Sequence, residues 1–103
     1  MYNIIFVTVP NKKEADKISF ALVSQRLAAC VNILSGVRSV YRWQGKVESS
    51  KELLLIIKTN SLKVRALIKK VRSMHSYDVP EIIAVPITAG SSDYLEWIND
   101  SVR

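Results

Sequence analysis

At 103 residues, 49% apolar and 23% charged, the chain can build one modest hydrophobic core and is too apolar to stay disordered. Its 15 basic residues outweigh 9 acidic ones for a formal net charge of +6, which raises nucleic acid as a partner to be weighed against the pattern. No apolar run approaches the roughly 18 to 20 residues of a membrane span, so no membrane association is expected.

The first six residues lack the basic region and small-residue cleavage site of a secretory signal. The single cysteine, Cys30, has no internal disulfide partner. Both features lead us to expect a cytoplasmic protein.

Asn3 to Val9 is a β-branched and aromatic run that predicts a buried strand. Pro10-Asn11 ends it, and Asn11 with Glu14 forms a capping-box pattern for the helix that follows. That helix should bury Ala15, Ile18, Leu22 and Val23 and stop near Arg26 or Leu27. An extended stretch from Ala29 to Trp43 follows, with a bulge or bend expected at Ser35-Gly36. Gln44-Gly45 is the turn to a return strand over Lys46–Thr59. Because Leu53 to Ile57 is apolar at every position, helices or another subunit should cover both faces of that strand.

A second helix is predicted over Ser61–Met74, with Val64, Leu67, Ile68 and Val71 as its buried stripe. Its other face carries Lys63, Arg65, Lys69, Lys70 and Arg72. That face reads either as a phosphate-binding surface or as solvated exterior, and we favour the exterior; nucleic acid is not the expected partner. Glu81–Thr88 is the fourth strand, placed at a sheet edge by Pro86. Ser91-Ser92-Asp93 opens a last helix that should turn Tyr94, Leu95 and Ile98 inward.

Strand, helix, strand, strand, helix, strand is the split βαβ repeat of an α+β, ferredoxin-like (βαββαβ) sandwich, here with an extra C-terminal helix. No linker or repeat divides residues 1–103, so a single domain is expected. The extended β2–β3 hairpin has arms of 13 to 15 residues, well beyond the 5 or 6 common in globular proteins. Such long edges favour aggregation unless another chain pairs with them. Aromatic residues near the tip suit an interface anchor. The hairpin therefore predicts an oligomer, with Tyr41, Trp43 and Trp97 at its interface.

The densest chemistry lies in His75-Ser-Tyr-Asp-Val-Pro-Glu81, at a helix-to-strand corner. It holds the only histidine, a tyrosine and two carboxylates, and Pro80 restricts the residue before it to extended conformations. Imidazole and carboxylate bind divalent metals or move protons near neutral pH. His75 reads either as a metal ligand with Glu81 or Asp78, or as a cap on the helix C-terminus. Cys30 reads either as a soft-metal ligand or as a small core residue. Glu81 is a candidate ion-pair partner of Lys58 or Arg26. No Gly-rich phosphate loop, Ser-His-Asp order or metalloprotease motif is present, so no enzyme is expected.

Five segments together resemble the CutA divalent-cation tolerance family. They are Arg26 to Asn32 (RLAACVN), Tyr41 to Glu48 (YRWQGKVE), Glu52 to Thr59 (ELLLIIKT), His75 to Glu81 (HSYDVPE) and Asp93 to Trp97 (DYLEW). They occur in the family's order, and the resemblance runs from Ile4 to Arg103. It implies a homotrimer joined through the long hairpins and a link to copper and other divalent cations. A similar architecture occurs in trimeric PII signalling proteins, which bind small effectors between subunits.

The resemblance also implies copper ligands at a first-strand cysteine and at paired histidines, where this chain has Val7 and Met74 before His75. The metal candidates are thus His75, Glu81 and Cys30, with Cu(II) or another divalent cation as the ion and none required for folding. Lys58, Tyr77, Trp43 and Asp78 are the candidate walls of a ligand cleft between subunits. Two readings stay open: metal tolerance through that cleft, or a PII-like regulatory trimer binding an anionic effector there, with metal incidental.

Overall fold

Alternation of buried and half-exposed side chains along the first strand sets the plan of the molecule. In the computed structural model, which describes Met1–Arg103, β1 (Tyr2–Val9) buries Ile5, Val7 and Val9 completely. The side chains between them point to the opposite side of the sheet. α1 (Lys12–Ser24), β2 (Cys30–Trp43) and β3 (Lys46–Asn60) follow. A single 3-10 turn (Ser61–Lys63) then leads into α2 (Val64–Met74), β4 (Ile82–Pro86) and α3 (Ser92–Ser101).

The four strands form one antiparallel sheet in the order β2-β3-β1-β4, which with two helices between the strands is the ferredoxin-like topology. Pro86 lies on the edge strand β4, as its missing N–H requires.

Helices α1 and α2 cover one face. Ala15, Ile18, Leu22, Leu67 and Val71 pack there with Ile5, Val7, Val9, Leu55 and Ile57 as the main core. The register puts Ile4, Phe6 and Thr8 of β1 opposite Lys58, Ile56 and Leu54 of β3, and these opposite Cys30, Asn32 and Leu34 of β2. These residues lie on the other face, joined by Ile83 and Val85 of β4. α3 forms only a small satellite core with Ala29, Ile98 and Val102, against which Tyr2 and Leu95 pack. Within one chain, α1 and α2 thus cover one face of the apolar strand Leu53–Ile57, and α3 reaches only the end of the other, beside Tyr2, Cys30 and Asn60.

The end of α1 differs from expectation. The helix stops at Ser24, and Arg26 adopts a left-handed φ of 58°. The Leu27 N–H reaches the Leu22 carbonyl and the Arg26 N–H that of Val23, the paired closure usually built around glycine. Val23, expected in the core, is 42% exposed. Asn60 tightens the other crossover by accepting from the Lys63 N–H at 3.2 Å and donating to Asn99 of α3 at 3.0 Å.

The hairpin follows the sequence closely. Gly36 (φ 78°) sits in a register break between Leu34 and Val37, and the turn residues Gln44 and Gly45 have φ of 49° and 80°. Two positive φ values in a two-residue loop define the turn that matches strand twist. A Cβ on Gly45 would meet nothing within 4 Å, so the cost of a side chain there comes from the backbone alone. Gly45→Ala is therefore expected to lower stability by about 1 kcal/mol in urea denaturation.

Candidate functional site

The corner after α2 is built around the His75 ring, whose side chain is fully buried. The His75 N–H closes the helix on the Val71 carbonyl, and the chain turns to extended backbone at that residue. Ring Nε2 lies 2.7 Å from the Thr8 carbonyl of β1, a bond in which it donates. Nδ1 accepts from the Tyr77 N–H at 3.1 Å. The Glu14 carboxylate accepts from the Ser76 N–H at 3.1 Å and lies 3.4 Å from Nδ1.

Asn11 does cap α1 through the Glu14 N–H, but the Glu14 side chain goes to the corner. One imidazole and one carboxylate thereby tie β1, α1 and α2 together.

Tyr77 leaves this strut toward the hairpin. Its ring lies 4.8 Å from the His75 ring, and its hydroxyl donates to Glu52 Oε2 of β3 at 2.8 Å. Burial, followed by the Glu52 hydrogen bond, pushes the phenol well above its usual range. Between corner and hairpin opens a cleft of about 600 Å³. Its walls include Tyr41, Trp43, Glu52, Tyr77, Asp78 and Glu81, and none of its lining residues is Lys, Arg or His. Three carboxylates and three aromatic rings thus face one cavity in a chain of net charge +6.

The structure brings Trp43, Tyr77, Asp78 and Glu81 to one cavity and leaves other candidates outside it. The His75 ring is enclosed behind the wall with both nitrogens engaged inside the chain. Lys58 bonds Asn32 on the open sheet face, directly opposite Cys30 in register and away from the cleft. Arg26 reaches the Ser101 carbonyl, and Glu81 forms an ion pair with neither cation.

Cys30 is half-buried, outside both core clusters, with Sγ 3.5 Å from the Tyr94 hydroxyl. His75, Glu81 and Cys30 therefore form no common metal centre within the chain, where no three His, Cys, Asp or Glu side chains are grouped to hold an ion. The register supplies the reason: Cys30 lies level with Ile4 of β1, whereas the His75 ring bonds the carbonyl of Thr8, four residues further along that strand. Tyr41 and Trp43 are 42% and 44% exposed, and Trp97 stacks at 5.4 Å on Tyr94 of α3.

Sequence reading places Glu14 only in a helix cap and Glu52 only at the start of a family segment, neither of them at the site. For Glu52 a signal existed: a lone carboxylate opens the apolar run Leu53–Ile57 and is only 7% exposed. Glu14 offered none, since its spacing fits a helix cap equally well.

The Tyr94 phenol is pushed up to about 12, chiefly by its hydrogen bond to Cys30 and then by burial. A raised phenol favours the neutral form, so its stability contribution is complete below the ordinary value of 10.0 and is lost as pH rises through about 12. Tyr94→Phe should therefore flatten the fall in unfolding midpoint over that alkaline window, followed by circular dichroism.

Comparison with known proteins places this geometry in a family. The model of the CutA1 divalent ion tolerance protein matches residues 3–101. The chain is 51% identical over 100 residues to Protein CutA, chloroplastic, of Arabidopsis thaliana, covering 97% of this chain and 55% of that protein. It thus spans about half the length of that plant relative. It is 46% identical over 101 residues to the divalent-cation tolerance protein CutA of Thermus thermophilus, covering 98% of each. A solved structure of the divalent cation tolerance protein from Thermus thermophilus superposes with a TM-score of 0.98 at 45% identity, covering 100% of both chains. No helix is long and apolar enough to cross a membrane. With the family model matching residues 3–101 and a solved relative superposing over its full length, the chain belongs to the CutA1 divalent ion tolerance family.

Proposed function

We propose that the chain is a single-domain, cytoplasmic binding protein, not an enzyme, that works as a homotrimer in the tolerance of or response to divalent metal ions. Its ligands enter the cleft between the long hairpin and the 75–81 corner. The observation that carries this reading is the lining of that cleft, where Glu52, Asp78 and Glu81 meet no basic residue. Carboxylate oxygens favour cations, and the absence of imidazole and thiolate suits loose, exchangeable binding better than a tight copper chelate. An anionic effector is the poorer fit, because Lys58 lies elsewhere.

Assembly is supported by the open sheet face, where Leu34, Ile83 and Val85 are 42%, 52% and 41% exposed beside half-buried Phe6, Leu54 and Ile56. A contiguous apolar face of this kind marks an interface. Exposed Tyr41, Trp43 and Trp97 add aromatic anchors.

The test is equilibrium dialysis against Cu(II) and Zn(II) at pH 7. Uptake by the native protein is expected to fall several-fold in the Asp78→Asn, Glu81→Gln double variant. Unchanged uptake would remove the cleft as the place where metal binds.

A further inference from the structure

The carboxylates of the cleft do not converge. They line one cavity, yet no three acidic, His or Cys side chains are grouped closely enough to hold one metal ion. A point charge such as Zn(II) can contact only part of the set, whereas an extended cation can reach separate carboxylates at once. The walls between them are the rings of Tyr41, Trp43 and Tyr77. Aromatic faces accept methylene groups and attract ammonium groups through the ring quadrupole.

Glu52 brings a carboxylate to the wall of this cavity. It is only 7% exposed, and its Oε2 accepts the Tyr77 hydroxyl. Its Oε1 receives no hydrogen bond from the chain, and no Lys or Arg pairs with it. Oε1 keeps contact with solvent, so it is open to a cation that enters the cleft. Glu52 lines the cleft, so a counter-charge can arrive there with a ligand.

We propose that the cleft is a site for a linear organic polycation of the di- or polyamine class, with one ammonium against Glu52, others against Asp78 and Glu81, and the methylene tether on the aromatic walls. The volume of about 600 Å³ falls within the range of small-molecule sites, roughly 300 to 1,000 Å³. A net charge of +6 repels polyamines from the rest of the surface, so binding requires this local reversal of sign. The inference rests on the cleft being the binding site, as proposed above, and names its ligand class.

Isothermal titration of the assembled protein at low salt and pH 7 tests it, with spermidine as probe, 1,8-octanediol as a neutral chain of matched length, and citrate and Zn(II) as further arms. Saturable spermidine binding is expected, at least about tenfold tighter than the diol and weakened about tenfold by Glu52→Gln, which keeps an acceptor for Tyr77. Equal binding of the diol, or indifference to Glu52→Gln, overturns the proposal. Zn(II) binding that is lost in Glu81→Gln, without spermidine binding, rejects the ligand class and leaves the cleft as the site, whereas citrate binding without spermidine binding rejects both. No binding in any arm rejects both.

Discussion

Leu34→Asp is expected to convert the proposed trimer to a folded single chain of 11.6 kDa in sedimentation equilibrium. Leu34 is 42% exposed within one chain, so a carboxylate there stays hydrated and the helix-covered core on the other face is untouched. In the proposed trimer the open sheet face is buried, and each copy would bring an unpaired charge into an apolar contact. That costs at least about 3 kcal/mol per carboxylate, more than a hundredfold in association. Circular dichroism should be unchanged. A variant that remains trimeric would show that the interface lies elsewhere, and attention would move to the hairpin tip at Tyr41 and Trp43.

His75→Ala should be the most destabilising single change at the corner, by about 2 to 5 kcal/mol in urea denaturation. The ring is fully buried, so its removal leaves a cavity. It also orphans the Thr8 carbonyl and the Tyr77 N–H. Under conditions where the variant is folded, its metal uptake should match the native protein, because both ring nitrogens are already engaged. Loss of uptake with unchanged stability would instead make the ring a ligand. Asp78→Asn is the complementary change: weaker cation binding is expected with little loss of stability, since Asp78 forms no ion pair.

These two predictions touch features of different legibility. The hairpin could be read from residues alone, because Gly36 and Gly45 mark positions where positive φ is required and the stretch between them carries Val37, Val40, Tyr41 and Trp43. The stop of α1 could not, because an arginine occupies the left-handed position that usually announces itself as glycine. His75 was legible as a notable residue but not as a strut. Its partners Thr8 and Glu14 lie more than sixty residues away, and a backbone carbonyl leaves no trace in side-chain identity.

Local order carried the element sequence, the ferredoxin-like topology and the family resemblance, since periodicity, turn residues and motif order are properties of neighbours along the chain. Tertiary structure decided which chemical groups meet. It set Glu52 against Tyr77, put Lys58 and Cys30 on the open face, and closed the imidazole behind the cleft wall. Lys58 shares the face of Glu52 on β3 but lies six residues further along the strand, level with Ile4 rather than Thr8 of β1, and that separation keeps it out of the cleft. A pattern of residue types can name the donors, but strand pairing and register determine which of them share a cavity.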